Sequence, residues 1–422
     1  MLVTVRRPER LAGELRVPGD KSISHRALIL NAVASGQAAI RNLSPGGDVE
    51  STARCLRALG VEVSRTAING VGLHGLRAPK APLDCGNSGT TMRLLAGLLA
   101  GQPFPSVLVG DDSLSRRPMD RVVHPLREMG AKAEVRPLRV GGGGNLMGIQ
   151  YQPAVPSAQV KSALLLAGLY AEGTTRIIEP VPTRNHTELM LQAMGADCRI
   201  EQHAVAISRT ERLAPLDVDV PGDLSAAVFW VVAAGLHPRA GIRLPAVGVN
   251  PTRGAVLDHL LACGFDISVQ RCRRRGAEET ADLAVGSSAE RPRARDITGT
   301  LSAALIDELP ALAVAATQME GTTLIAGAVE LRVKESDRVA AMASGLAALG
   351  ADVEEQPDGL RITGPRALTG ARVSAAGDHR VALALAVAGM LARGHTEIDG
   401  AECVDISYPG FWDELAVLGA LC

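Results

Sequence analysis

Two kinds of helical stretch recur along the 422-residue chain. In Asp48 to Leu59, Val49, Ala53, Leu56 and Leu59 fall at three- and four-residue spacing, which predicts an amphipathic helix with one covered face. Val160 to Ala171 and Val381 to Ala392 are apolar around the whole circumference and must be enclosed on every side, inside a shell of sheets and amphipathic helices. Two glycine series punctuate this pattern. Leu followed four residues later by Gly ends a helical stretch at Gly60, Gly130, Gly195, Gly264, Gly350 and Gly419; a second series, Gly36, Gly101, Gly173, Gly241, Gly321 and Gly394, follows the apolar helices and precedes short strands. Both series have a period of about 70 residues, the mark of an internal repeat. Glycine suits these positions because a chain leaving a helix often turns through the left-handed region.

Each of the six repeats therefore reads apolar helix, Gly, strand, amphipathic helix, Gly, strands, and six repeats group as three and three. The last one ends at Cys422 without its closing strands, which Val3 to Val17 can supply. The expected division is residues 16 to 220 in one domain and 1 to 15 plus 221 to 422 in the other, with a double hinge near 15 and 220 and a cleft between. A linear solenoid ranks lower because no polar capping unit stands at either end.

Length alone calls for more than one core. Charge narrows the partners: 44 Lys+Arg against 45 Asp+Glu leaves −1, and Trp, Tyr and Phe number only 2, 3 and 4, so neither a basic nucleic-acid surface nor a base-stacking platform is expected. The longest apolar runs, of about twelve residues, fall short of the roughly 20 that span a bilayer. Arg6, Arg7 and Arg10 have no apolar run behind them, so no signal peptide is expected and a cytoplasmic location is. The cysteines at 55, 85, 198, 263, 272, 403 and 422 form no CxxC pair, and read as buried small hydrophobes or inert thiols rather than metal ligands or nucleophiles.

Four polar motifs open helices, and each carries a cation: PGDKSISHR (18 to 26), CGNSGTTMR (85 to 93), PSAQVK (156 to 161) and RVKESDR (332 to 338). A helix start offers free N–H groups and partial positive charge to an anion. Pairs four residues apart, Ser22/Arg26, Gly89/Arg93, Ser157/Lys161 and Lys334/Arg338, would share a helix face. Any one motif is also what an ordinary N-cap with a solvated cation looks like. Lys21 and Arg26 say more, since they adjoin the apolar run Ala27 to Leu30. Arg116 and Arg117 precede Pro118 in an extended or turn segment, and His379 and Arg380 open the most apolar helix, where His379 is either a ligand or a local hydrogen-bonding residue. Asp307 lies between apolar neighbours in LIDELP, and Glu335 between Lys334 and Arg338; a carboxylate in an apolar setting is a candidate general base. Gly19-Asp20-Lys21-Ser22 fails as a P-loop because Asp20 stands where glycine is needed.

Together PGDKSISHRAL, GNSGTTMRLL, LSRRPMDRV, PSAQVKSALLLAGL, TRNHTE, LIDELP, LRVKESDR and DHR, in this order, resemble the EPSP synthase family along essentially the whole chain. The resemblance implies an α/β fold of two domains, each of three βαβαββ units with helices inside sheet walls, an inside-out α/β barrel. It implies transfer of a carboxyvinyl group from phosphoenolpyruvate to the 5-hydroxyl of shikimate 3-phosphate, with no cofactor and no metal, and a monomer is expected. Carried over by motif, shikimate 3-phosphate falls to Lys21, Ser22, Arg26, Ser157, Ala158, Gln159, Arg184, Asp307 and Lys334. Phosphoenolpyruvate falls to Lys21, Asn87, Gly89, Arg117, Gln159, Arg338 and Arg380, with His379 added as a candidate beside them. Asp307 is the implied proton acceptor for the 5-hydroxyl, while Glu335 and Lys21 handle protons at the phosphoenolpyruvate carbons.

The chain departs from some members in having Ile406, two residues before Tyr408-Pro409, where they have a lysine; Thr183 replaces a commoner serine. Gly89 is the small residue linked in the family to glyphosate sensitivity. The nearest rival, the carboxyvinyltransferase of UDP-N-acetylglucosamine, resembles a Lys-Asn start and carries a loop cysteine, whereas here Ser22 follows Lys21 and Leu114 to Arg121 has no cysteine. A non-catalytic binder or an RNA-end-processing member of the same architecture is a further alternative, disfavoured by the retention of Asp307, Glu335 and Lys21 and by the neutral charge.

Overall fold

The computed structural model describes residues 1–421, so the expectation for the Cys422 thiol lies outside the described residues. The protein is a mixed α/β chain that divides into two compact units. A central unit comprises Gly19–Val220 with Arg274–Glu278; a terminal unit comprises Met1–Pro18, Pro221–Arg273 and Glu279–Cys422. The chain passes from the terminal to the central unit between Pro18 and Gly19, and the turn of the hairpin Ile267–Arg275/Glu278–Gly286 groups with the central unit.

The central unit repeats one topology. Leu83–Asp84 leads through the helix Gly89–Ala100 to the parallel strand Pro105–Val109, then through Asp120–Glu128 to Ala133–Glu134 and Leu138–Gly141, which close the sheet in antiparallel order. Gln150–Tyr151, Thr174–Ile178, Cys198–Ile200 and Ala204–Ser208 do the same. The remaining sheet takes its leading strand from late in the unit, where Val218–Asp219 runs parallel to Ser35–Arg41.

In the terminal unit the N-terminal segment is shared between two sheets. Leu2–Arg6 pairs antiparallel with His395–Asp399, next to the end of the chain, and Leu11–Glu14 pairs parallel with Ala240–Gly248. Pro8, which has no N–H to offer a ladder, stands in the break between them.

Apolar helices lie where full burial demands. Every residue from His379 to Leu391 is buried, and the helix Leu224–Leu236 leaves only its last residue partly exposed. The helix Gly47–Ala58 buries Val49, Ala53 and Leu56 as its spacing predicts, but Asp48, Ser51 and Thr52 share that covered side. All six glycines that close the amphipathic helices have φ between 71° and 97°. The second series is mixed: Gly36, Gly173, Gly321 and Gly394 are left-handed, whereas Gly101 has φ −84° and is needed because a Cβ would stand 2.3 Å from the Tyr170 ring, and Gly241 lies within a strand. Among the described residues no helix is long and apolar enough to cross a membrane.

The C-terminal helix Phe411–Val417 is fastened through a buried chain in which Trp230 Nε1 donates to Tyr408 Oη at 2.9 Å and Tyr408 donates to Glu414 Oε2 at 2.6 Å. Burial pushes the Glu414 carboxyl up from 4.5 to about 7; Tyr408's hydrogen bond opposes the shift and Asp413 adds to it. The folded state therefore holds a proton that the unfolded chain has released. The stability this contributes is complete below pH 4.5 and declines as pH rises to about 7. Allowing for partial solvation, denaturant titrations at pH 4.5 and 8 should differ by about 1–3 kcal/mol more in the parent than in Glu414→Gln. Equal pH dependence in the two proteins would show that Glu414 is not the group responsible.

Candidate active site

In the central unit the helix Lys21–Ala32 is capped by Asp20, which accepts from the Ile23 N–H at 2.8 Å. Lys21, the first residue of the helix, pairs with Asp48 Oδ2 at 3.0 Å, at the start of the helix Gly47–Ala58. Behind this pair runs a buried polar chain. His25 Nδ1 meets Thr52 Oγ1, and Thr52 Oγ1 meets Thr91 Oγ1, both at 2.7 Å; Thr91 reaches the Asp48 carbonyl and the capping Ser88. Burial first, then Lys21 and Arg26, hold His25 well below its ordinary pKa, so it is neutral and the cations meet no extra positive charge.

Arg26, 3% exposed, donates among the described residues to neutral oxygens: Thr187 Oγ1 at 2.7 Å, Ser162 Oγ at 2.8 Å and the Ser22 carbonyl at 2.9 Å. Burial lowers its pKa to about 10, with Glu188 and Asp20 opposing the shift and the half-buried Arg184 adding to it. A buried guanidinium with a fixed geometry and neutral partners is a ready site for an anion. Ser157 and Ala158 start the helix Ala158–Gly168, where Ser157 accepts from the Val160 N–H. Lys161, which shares a helix face with Ser157, is not available to a ligand. It is 1% exposed and held by Glu188 at 2.6 Å and Glu179 at 2.7 Å, so it fixes the segment that carries Thr183 and Arg184.

The third helix start gathers Asn87, Gly89, Arg93, Arg117 and Gln159. Asn87 Oδ1 accepts from Arg117 at 2.6 Å, and Asn87 Nδ2 donates to Asp111 at 2.7 Å. Gln159 accepts from Arg93 at 2.6 Å and donates to Thr90 at 2.8 Å. Gly89 lies against both arginines: a Cβ there would stand 2.7 Å from one Arg93 nitrogen and 3.4 Å from one of Arg117.

The terminal unit brings Asp307, Lys334, Glu335, Arg338 and Arg380 together. Asp307 Oδ1 lies 3.6 Å from Lys334 and 3.7 Å from Arg338, its Oδ2 lies 3.9 Å from Arg380, and its carbonyl accepts from Arg380 at 2.7 Å. The apolar setting expected from the flanking residues is thus corrected, because side chains from two other segments surround this carboxylate with cations. At about 4 Å each such pair is worth about 4 kcal/mol at an effective dielectric of 20. Arg338, 1% exposed, is held by Asp378 at 2.7 Å and Glu335 at 2.6 Å. Burial opposes its charge, but Asp378, Glu335 and Asp307 outweigh that and hold its pKa above the ordinary guanidinium value. Asp378 is likewise held below the usual carboxylate range because Arg338 overcomes its burial. It also caps the helix His379–Leu391, and His379 is buried beside it, 4.0 Å from Asp378 Oδ1. Lys334 and Arg338 do not share one helix. Lys334 follows the 3-10 turn Val329–Val333, and Asp337 caps a new helix at Arg338, so tertiary contacts and not the four-residue spacing bring them together.

The family model described as EPSP synthase (3-phosphoshikimate 1-carboxyvinyltransferase) matches residues 5–415. The chain is 50% identical over 412 residues to a 3-phosphoshikimate 1-carboxyvinyltransferase of Desulforudis audaxviator, with 95% of each protein covered. It is 52% identical over 411 residues to one from Alkalilimnicola ehrlichii, covering 95% of this chain and 92% of the relative. The chain belongs to the EPSP synthase family. A solved EPSP synthase structure from Acinetobacter baumannii, 40% identical, superposes with TM-score 0.88 over 99% of this chain and 98% of that one.

For this EPSP synthase family member, three residues beside the candidates have roles that the sequence motifs leave unassigned. Arg93 was visible only as a partner of Gly89, yet it holds Gln159. Asp48 and Asp378 orient Lys21 and Arg338. Asp48 had a signal, since it lies four residues from Thr52 on the covered side of an amphipathic helix, where polar residues need a reason. Ile406 ends the 3-10 turn Ala401–Ile406 and packs on the apolar core.

Proposed function

We infer that the chain transfers the carboxyvinyl group of phosphoenolpyruvate to the 5-hydroxyl of shikimate 3-phosphate, giving 5-enolpyruvylshikimate 3-phosphate and phosphate. Family membership carries the reaction, and the Asp307 carboxylate ringed by Lys334, Arg338 and Arg380 supports the chemistry best. No comparison favours the UDP-N-acetylglucosamine reading. We read the fold as two inside-out barrels of three βαβαββ units joined by a double hinge.

In this reading the buried Arg26 guanidinium, with Ser22, Ser157, Ala158, Gln159, Arg184 and Lys334, takes shikimate 3-phosphate. Lys21, Asn87, Gly89, Arg117, Gln159, Arg338, His379 and Arg380 take phosphoenolpyruvate. The reaction is addition followed by elimination. Phosphoenolpyruvate C3 gains a proton while Asp307 accepts the 5-hydroxyl proton and the oxygen attacks C2; the tetrahedral adduct then loses phosphate and one C3 proton. Glu335 and Lys21 serve the C3 protons. Orientation and charge stabilisation by the arginines supply the remainder. Phosphate release by the purified protein should require both substrates and should not occur with UDP-N-acetylglucosamine in place of shikimate 3-phosphate; release with the nucleotide sugar would overturn the substrate assignment.

Gly89 predicts a selective effect. A methyl group at 89 would push the Arg93 guanidinium off Gln159 and crowd Arg117, a change centred on the phosphoenolpyruvate side. The parent should be inhibited by glyphosate in competition with phosphoenolpyruvate, and Gly89→Ala should weaken that inhibition by about tenfold or more, equivalent to about 1.4 kcal/mol, with a smaller rise in KM for phosphoenolpyruvate. Inhibition constants that match in the two proteins would contradict the crowding argument.

A further inference from the structure

Next to Asp307 stands a second carboxylate committed to different partners. Glu308 is 5% exposed and precedes the helix Leu309–Gln318, yet its side chain makes no capping bond there. Instead Ser225 Oγ donates to Glu308 Oε1, and Arg253 donates to that same Ser225 oxygen while lying 3.7 Å from Glu308 Oε1. Arg253, 8% exposed, also pairs with Asp223 at 3.3 Å. Asp223 in turn accepts from the Ser225 N–H at 2.8 Å and caps the helix Leu224–Leu236. The cluster is therefore anchored in the start of a fully enclosed helix.

The peptide joining Asp307 to Glu308 is thus fixed from both sides. Its carbonyl oxygen is held by Arg380 at 2.7 Å, and the side chain that follows is held by Ser225 and Arg253. Buried ion pairs contribute little net stability relative to apolar packing, because desolvation offsets their attraction. What such a pair does supply is a single rotation of the backbone it grips, and a base displaced by about 1 Å can lose about a hundredfold in rate.

We propose that Glu308, gripped by Ser225 and Arg253, is a positioning residue that sets the 307–308 peptide and so aims the Asp307 carboxylate at its proton. The inference rests on the reading of Asp307 as the base. It extends the site to a layer of unit-interior residues, Ser225, Arg253 and Asp223, that need not touch substrate to matter.

A double-mutant cycle on the full chain tests it. Asp307→Asn, Glu308→Gln and the double variant are compared for kcat, for KM of each substrate and for thermal unfolding. Glu308→Gln should lower kcat about 30-fold with both KM values within about twofold, and in the Asp307→Asn background it should change kcat by less than about twofold, since residues acting as one unit are not additive. Ser225→Ala, which removes the hydroxyl's two hydrogen bonds to Glu308 and Arg253 and leaves the charges, should lower kcat about fivefold with KM unchanged, and stands in if Glu308→Gln does not fold. An equal loss in both backgrounds, or no loss of kcat at all, overturns the positioning role. If Asp307→Asn alone retains kcat, the base assignment fails, and that result is read from the single variant independently of Glu308.

Discussion

Asp307→Ala should lower the rate of phosphate release about a thousandfold while leaving shikimate 3-phosphate binding no weaker than in the parent. The rate loss follows from removing a positioned proton acceptor, a contribution of about 10² to 10⁴. The binding half follows from the surroundings: Lys334, Arg338 and Arg380 all lie within 4 Å of this carboxylate and lose their shared counter-ion when it goes. Arg338 keeps Asp378 and Glu335, but the cluster as a whole gains one positive charge and attracts an anionic substrate at least as well as before. Titration calorimetry alongside the rate assay separates the two. A variant that binds poorly would make Asp307 chiefly a binding residue for shikimate 3-phosphate, and one that turns over normally would remove it from the chemistry.

The second large effect is on folding. Arg338→Met should cost about 3–5 kcal/mol in denaturant unfolding, because it leaves Asp378 buried with its main cation gone. Asp378 has no exposure, and Glu335 also points its carboxylate at the same guanidinium. Replacing Asp378 as well, in Arg338→Met/Asp378→Asn, should recover a large part of that stability without restoring activity. Failure of the second substitution to recover anything would mean that Arg338 contributes by packing and not by charge.

The repeat was expected from glycine spacing, because a left-handed exit from a helix is a local requirement that only the backbone decides. Gly60, Gly130, Gly195, Gly264, Gly350 and Gly419 all meet it. Gly101 was expected for the same reason but is there to admit Tyr170, a contact between distant segments that spacing cannot show. The helix-start motifs were equally visible, since Asp20, Ser88, Ser157, Asp337 and Asp378 all cap helices. Less visible was which cation remains for a ligand. Lys161 and Arg26 look alike in sequence, each a cation among apolar residues. The fold pairs Lys161 directly with Glu179 and Glu188 from a later segment, whereas among the described residues the hydrogen bonds of Arg26 go to neutral oxygens. Asp307 was singled out for its apolar neighbours in sequence, and in space cations take their place around the carboxylate.

That contrast also bears on how the arginines act. A guanidinium already oriented by fixed partners, as Arg26, Arg117 and Arg338 are, loses little conformational freedom when it meets a phosphate or carboxylate. The buried chain from His25 through Thr52 and Thr91 to Ser88 does the same for the segment around Lys21.

The most direct measurement is to run the reaction in deuterium oxide with both substrates and examine the product by mass spectrometry. If phosphoenolpyruvate C3 takes a proton and the adduct then loses one, the product is 5-enolpyruvylshikimate 3-phosphate with deuterium in its vinyl group. Product formed without deuterium would contradict the addition–elimination route, and no product from the two substrates together would contradict the assigned function itself.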